Sequence, residues 1–79
     1  MRHLKVFTSK TCGPCKALSP MLADLNILVV KVDVQEQAAV AEMHGIRQVP
    51  ALKLYDDFTL IGTRYGLQTK QQLEEFIRS

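Results

Sequence analysis

Thr11-Cys12-Gly13-Pro14-Cys15-Lys16 holds the only two cysteines of the chain and separates an apolar run from a segment with helical periodicity. On the N-terminal side, Leu4-Lys5-Val6-Phe7-Thr8 is short, β-branched and aromatic, the composition of a strand. On the C-terminal side, Pro14 suits a first helical turn, where its missing N–H has no intrahelical partner to lose. Leu18, Met21, Leu22 and Leu25 then recur on one helical face. Pro20 lies inside that helix and predicts a kink, since the carbonyl of Lys16 loses its partner there. The cysteines therefore stand at a strand-to-helix junction, Cys12 just before the helix and Cys15 one turn into it.

That position has chemical consequences. A free thiol with a pKa of about 8.5 is only a few per cent ionised at neutral pH, and the thiolate is the nucleophile. Unpaired N–H groups and the dipole at a helix N-terminus stabilise an anion, and Cys-x-x-Cys sites commonly have pKa values of about 3.5–7.5. Lys10 and Lys16 add positive potential if they point toward the sulfur. Cys15 is close enough for a closable disulfide and is expected to be the less exposed of the two. Cys12 then reads as the thiolate that attacks a substrate disulfide, and Cys15 as the thiol that resolves the mixed disulfide. A Cys-x-x-Cys pair is also half of many zinc sites, and that alternative stays open. It needs two further ligands, and His3 and His44 lie far off in sequence without ligand spacing. His44, just before Gly45, reads as a helix C-terminal residue interacting with the dipole.

Outward from this centre, Ile27-Leu28-Val29-Val30-Lys31-Val32-Asp33-Val34 is nearly continuous and apolar. It predicts a strand covered by helices and reached by a right-handed βαβ crossover. Gln35 to Met43 is alanine-rich and helix-compatible, with Ala39, Val40 and Met43 as its apolar side and Gly45 ending it. Ala51-Leu52-Lys53-Leu54-Tyr55 and Thr59-Leu60-Ile61-Gly62-Thr63-Arg64-Tyr65 flank Asp56-Asp57-Phe58 and predict a hairpin, with Gly62 marking a bulge. Thr69 and Gln72 have capping-box spacing before a last helix with Leu73, Phe76 and Ile77 inward. The order is β-α-β-α-β-β-α. Lys5, Lys31 and Lys53 interrupt the strands, which predicts a sheet face covered by a single helix, with the lysines solvated.

The 79 residues, 47% hydrophobic and 23% charged with a formal net charge of +2, fit one small domain, residues 1–79. Its lysines are dispersed among acids, which does not indicate nucleic-acid binding. The start Met1-Arg2-His3-Leu4-Lys5 has no apolar stretch behind its basic residues, and no apolar run approaches membrane-spanning length. A cytoplasmic protein is the expectation. In a reducing compartment a cysteine pair is more often catalytic or metal-binding than structural.

Four segments together resemble the thioredoxin superfamily over essentially the whole chain. They are Cys12-Gly13-Pro14-Cys15-Lys16 with Pro20, Lys31-Val32-Asp33-Val34, Gly45-Ile46-Arg47-Gln48-Val49-Pro50, and Tyr65-Gly66-Leu67-Gln68-Thr69-Lys70 followed by Leu73, Glu75 and Phe76. The resemblance implies an α/β protein of minimal thioredoxin fold, with a four-stranded mixed sheet and three helices. It implies a monomeric protein disulfide reductase, a thiol-disulfide oxidoreductase with no cofactor beyond the Cys12-Cys15 disulfide. Its implied partners are protein disulfides, ribonucleotide reductase among the candidates, and a thioredoxin reductase-type flavoprotein as electron donor. Thr11, Gly13, Pro14 and Lys16 complete the active-site motif. Pro50 is the implied cis-proline facing the disulfide, Val49 presents backbone to an extended substrate, and Gly66 lets the substrate approach from the other side.

The resemblance also marks departures. The chain starts at the strand that is the family's second, so its size approaches that of a glutaredoxin. Thr11 stands where a tryptophan is common. Val6 replaces the buried acid that helps the resolving cysteine lose its proton, which implies slower resolution. Ser9-Lys10-Thr11 before the first cysteine is glutaredoxin-like, so a glutathione-dependent oxidoreductase is the first alternative. Against it, Gly13-Pro14 between the cysteines favours a reducing couple, and the Tyr65–Thr69 segment lacks the second glycine and the acid that would hold glutathione. A non-enzymatic metal-, cluster- or partner-binding subunit is the second alternative.

Overall fold

The computed structural model describes all residues, Met1–Ser79. Its elements are β1 (Arg2–Thr8), α1 (Gly13–Ala23), β2 (Leu28–Asp33), α2 (Ala38–Met43), β3 (Ala51–Asp56), β4 (Thr59–Tyr65) and α3 (Lys70–Arg78). They form a four-stranded mixed sheet of order β2-β1-β3-β4. β1 runs parallel to β2 and antiparallel to β3, and β4 is antiparallel to β3. This is the expected α/β architecture.

The period of two along a strand divides the sheet into two unequal sides. Leu4 and Val6 of β1 and Leu52 and Leu54 of β3 meet Leu18, Leu22 and Leu25 from α1 and its end, together with Leu73 and Phe76 of α3. Phe7, Val32 and Ala51 point the other way and form a smaller cluster with Val34, Val40, Ile46 and Val49. The central strands β1 and β3 supply most of the fully buried side chains. Helix α1 continues through Pro20 to Ala23. At the far end, the Arg2 guanidinium donates to the carbonyls of Ile77 (3.0 Å) and Ser79 (2.5 Å), tying the last turn of α3 to β1.

Several local expectations need correction. β2 is an edge strand, not a covered one: Leu28 is 59% exposed and Val30 37%, and only Val32 is buried. An apolar run of this length looks the same whether one or both faces are packed. Helix α2 starts at Ala38 because Asp33 holds the preceding residues in a turn, its Oδ1 accepting from the N–H groups of Gln35 (2.8 Å) and Glu36 (3.2 Å). The buried residue of α2 is Ala41, while Met43 is 85% exposed. Gly45 follows in the left-handed region at φ 67°. The hairpin connection is two residues, Asp57-Phe58, with Asp57 at φ 55°. The bulge falls beside Gly62: Leu54 pairs with Gly62 and Tyr55 with Leu60, leaving Ile61 as the extra residue. Gly62 also faces α3, where a Cβ would lie 3.2 Å from Phe76 Cε1.

The three strand lysines separate. Lys31 lies opposite Val6 on the α1 side, and its Nζ donates to Ser19 Oγ at 2.8 Å. Lys5 and Lys53 pair directly across β1 and β3 on the α2 side and are half-buried rather than solvated. Lys53 Nζ donates to the His44 carbonyl (2.8 Å), and Lys5 Nζ lies 5.1 Å from the centre of the Tyr55 ring. His44 caps α2 at its C-terminus, but its ring packs 5.2 Å from Phe7, with Nδ1 3.3 Å from Tyr55 Oη. Burial, then the charges of Lys5 and Lys53, push its pKa below the ordinary value, so it is not the cationic partner of the helix dipole.

Leu18→Ala is expected to cost about 2–5 kcal/mol in urea unfolding, and Met43→Ala to stay within about 0.5 kcal/mol. His44 gives a pH signature. The unfolded chain binds its proton at a higher pH than the folded one, so stability is lost as pH falls through 6.5 toward the lower folded value. Thermal melts between pH 8 and pH 5.5 should show that decline, and His44→Gln should flatten it.

Candidate active site

β1 ends at Thr8, and a tight loop turns the chain into α1. Cys12 N–H donates to the Ser9 carbonyl at 3.2 Å, while Thr11 N–H lies 3.3 Å from Ser9 Oγ. Cys12 is the N-cap of α1, extended at φ −92° and ψ 110°, and its Sγ accepts from the Cys15 N–H at 3.1 Å. A sulfur therefore takes the place usually filled by a capping oxygen. A first-turn donor aims at it, and Pro14 in that turn has no N–H to compete. The two cysteines are disulfide-bonded with their Cα atoms 5.2 Å apart. Cys15 is 6% exposed, whereas Cys12 is half-exposed and Thr11, Gly13, Pro14 and Lys16 stand in solvent. On reduction, Cys12 is the sulfur that both solvent and the helix dipole reach.

The antiparallel register pairs Phe7 with Ala51, which carries Pro50 beside the end of β1, where the cysteine loop departs. The Val49-Pro50 peptide is cis, and Pro50 is fully buried. The Pro50 carbonyl accepts from the Gly66 N–H at 2.8 Å, which brings the end of β4 to the same place. Gly66 is at φ 82°, a conformation glycine adopts without strain. Gln68 Nε2 reaches back to the Tyr65 carbonyl at 3.1 Å, and the Thr69–Gln72 capping box starts α3 directly afterwards. Thus the sheet gathers Cys12, Cys15, Val49, Pro50 and Gly66 at one end. Val49 is half-buried and forms no backbone hydrogen bond within the chain, a detail no sequence pattern discloses.

Lys10 is taken up by Glu36 at 2.8 Å, and that pairing holds its pKa above the ordinary value. Lys16 has no carboxylate partner. No group of three or more His, Cys, Asp or Glu side chains converges anywhere, and His3 stacks on Tyr55, away from the cysteines. Ser19 and Lys31, from the outer side of α1 and from β2, border a cleft against Cys15. Their arrival there depends on how α1 lies across the sheet, which sequence spacing does not encode.

A family model described as Thioredoxin matches residues 2–79. The chain belongs to the thioredoxin family. The thioredoxin of Buchnera aphidicola subsp. Baizongia pistaciae is 34% identical over 77 residues, covering 90% of this chain and 71% of that protein. NADPH-dependent thioredoxin reductase 3 of Arabidopsis thaliana is 30% identical over 82 residues, which are 96% of this chain and 16% of that protein. A solved structure of a mutant thioredoxin from Halobacterium salinarum superposes with a TM-score of 0.90 at 33% identity, covering 98% of this chain and 72% of that one. As a thioredoxin-family protein with a Cys12-Cys15 disulfide, the chain is a thiol-disulfide oxidoreductase.

The difference in exposure between the two cysteines makes a direct prediction for this protein. After reduction, iodoacetamide should alkylate Cys12 at least about tenfold faster than Cys15, read by mass spectrometry of the C15S and C12S variants.

Proposed function

We propose that this chain reduces protein disulfides as an electron carrier recycled by a thioredoxin reductase-type flavoprotein. The observation that carries this reading is a partly exposed Cys12 at the α1 N-terminus, at the same end of the sheet as Val49, whose backbone hydrogen-bonding groups are free. Cys12 thiolate attacks one sulfur of the substrate disulfide. A Cys12–substrate disulfide forms, and the other substrate sulfur leaves as a thiolate that takes up a proton. Val49 holds the substrate main chain as an added strand during this step, with Pro50 and Gly66 shaping the two sides of the groove. Cys15 then gives its proton to solvent and attacks the Cys12 sulfur. The Cys12-Cys15 disulfide closes and the second substrate thiolate departs, so two electrons have moved from protein to substrate.

The flavoprotein reductase returns those electrons, and no cofactor beyond the disulfide is invoked. The reading places the protein in the cytoplasm as a single domain of residues 1–79 acting as a monomer. No helix is long and apolar enough to cross a membrane. Val6, where many relatives place an acid, is fully buried among leucines, so Cys15 has no carboxylate on that side to accept its proton. Resolution of the mixed disulfide should therefore be slower than in a full thioredoxin that carries the acid. The glutathione-dependent alternative gains no support from the Gly66–Thr69 segment, which holds one glycine and no acid.

Oxidised protein should be reduced by NADPH with thioredoxin reductase, and much more slowly by glutathione with its own reductase. Turnover with glutathione alone would reverse the choice of donor. The C15S variant should accumulate a mixed disulfide with substrate, detectable as a mass shift that dithiothreitol removes.

A further inference from the structure

A cleft of about 170 Å³ opens against Cys15, on the β2 side of the cysteines, lined among others by Lys10, Lys16, Lys31, Ser9 and Ser19. Its charge is unbalanced. Lys10 is paired with Glu36, and the Asp33 carboxylate adds a second negative charge on the Lys10 side while it accepts from two backbone N–H groups. Lys16 and Lys31 have no carboxylate within 4.0 Å, and Lys31 reaches only the neutral hydroxyl of Ser19. Two ammonium groups without a direct carboxylate partner thus border a hole large enough for a carboxylate. One wall of that hole is the residue whose sulfur bonds to Cys12. The cleft thus adjoins the cysteine pair through Cys15 and lies apart from Val49, Pro50 and Gly66, so it is open to a substrate side chain other than the main chain held at Val49.

We infer that this cleft is a carboxylate subsite, which selects substrates carrying an Asp or Glu beside the disulfide to be reduced. The inference rests on the disulfide reductase reading and adds the substrate class. An acidic side chain entering the cleft meets Lys16 and Lys31, with the Ser9 and Ser19 hydroxyls as further partners. The attraction is partly solvent-exposed, so it acts on capture and weakens with salt. A seated carboxylate also offsets positive charge beside Cys15, which does not favour loss of the Cys15 proton. The benefit accordingly lies in the half-saturating concentration and not in the maximal rate.

Three self-quenched fluorescent disulfide peptides, identical except for Glu, Gln or Lys next to the cysteine, test this against pre-reduced protein in stopped flow. At low salt the Glu peptide should react about three- to tenfold faster than the Lys peptide below saturation, with a maximal rate no higher, and the advantage should shrink toward unity in 0.5 M NaCl. The K16Q/K31Q double variant should bring the Glu-to-Lys ratio within about twofold. Equal rates for all three peptides would overturn the subsite while leaving the reductase reading intact. An undiminished ratio in the double variant would place the selectivity elsewhere and overturn the assignment to this cleft. Failure to reduce any peptide would remove the reductase reading and the subsite with it.

Discussion

The contact on which the site depends is the hydrogen bond from the Cys15 N–H to Cys12 Sγ, which makes a sulfur the cap of α1. For that bond to form, the helix must begin at Gly13 and be held with its first turn beside the end of β1. Neither condition is local. Leu18, Leu22 and Leu25 press α1 onto Leu4, Val6, Leu52 and Leu54, and α3 closes the same side with Leu73 and Phe76. Burying these side chains, each worth about 1.5–3 kcal/mol relative to exposure, fixes the axis of α1 and so aims its N-terminus. The redox centre is a consequence of core packing one to three turns away.

The same packing makes the sheet asymmetric. Two helices cover one face, while the six-residue α2 covers only the Phe7, Val32 and Ala51 end of the other. The remainder of that second face is occupied by His3, Lys5, Lys53 and Tyr55, where stacking, a cation-π contact and a hydrogen bond to the His44 carbonyl replace a packed core. Two lysines directly opposite each other would repel in a plain ladder. Here one ammonium is turned onto an aromatic ring and the other onto the carbonyl end of α2, positions where positive charge is favoured. Burial of His44 disfavours its protonation, and the combined field of the two lysines adds to that.

Much of this was legible in the chain itself. The periodicities around Leu18–Leu25 and Leu73–Ile77, the capping box at Thr69, Gly45, and the two-residue spacer between Cys12 and Cys15 are local signals. Local backbone chemistry obeys them wherever the elements end up. The element order and the resemblance to the thioredoxin superfamily followed from such signals. Less visible were quantities that depend on a neighbour. Leu28 and Val30 read as core residues until β2 proved to be the edge of the sheet. Met43 read as inward until Asp33 held the chain in a turn and set the phase of α2.

The sequence by itself determined where the elements lie, that Cys12 precedes a helix and Cys15 is one turn inside it, and that a proline and a glycine stand ready at Pro50 and Gly66. Spacing, capping and backbone restriction act over a few residues, so they can be read from a few residues. Only the tertiary structure decided that Pro50 and Gly66 are joined at the end of the sheet from which the cysteine loop departs, that Val49 keeps its backbone groups free, and that Lys31 and Ser19 reach the flank of Cys15. Those facts come from strand register and from the angle at which α1 lies on the sheet. Both are set by side chains far apart in the chain packing at close range.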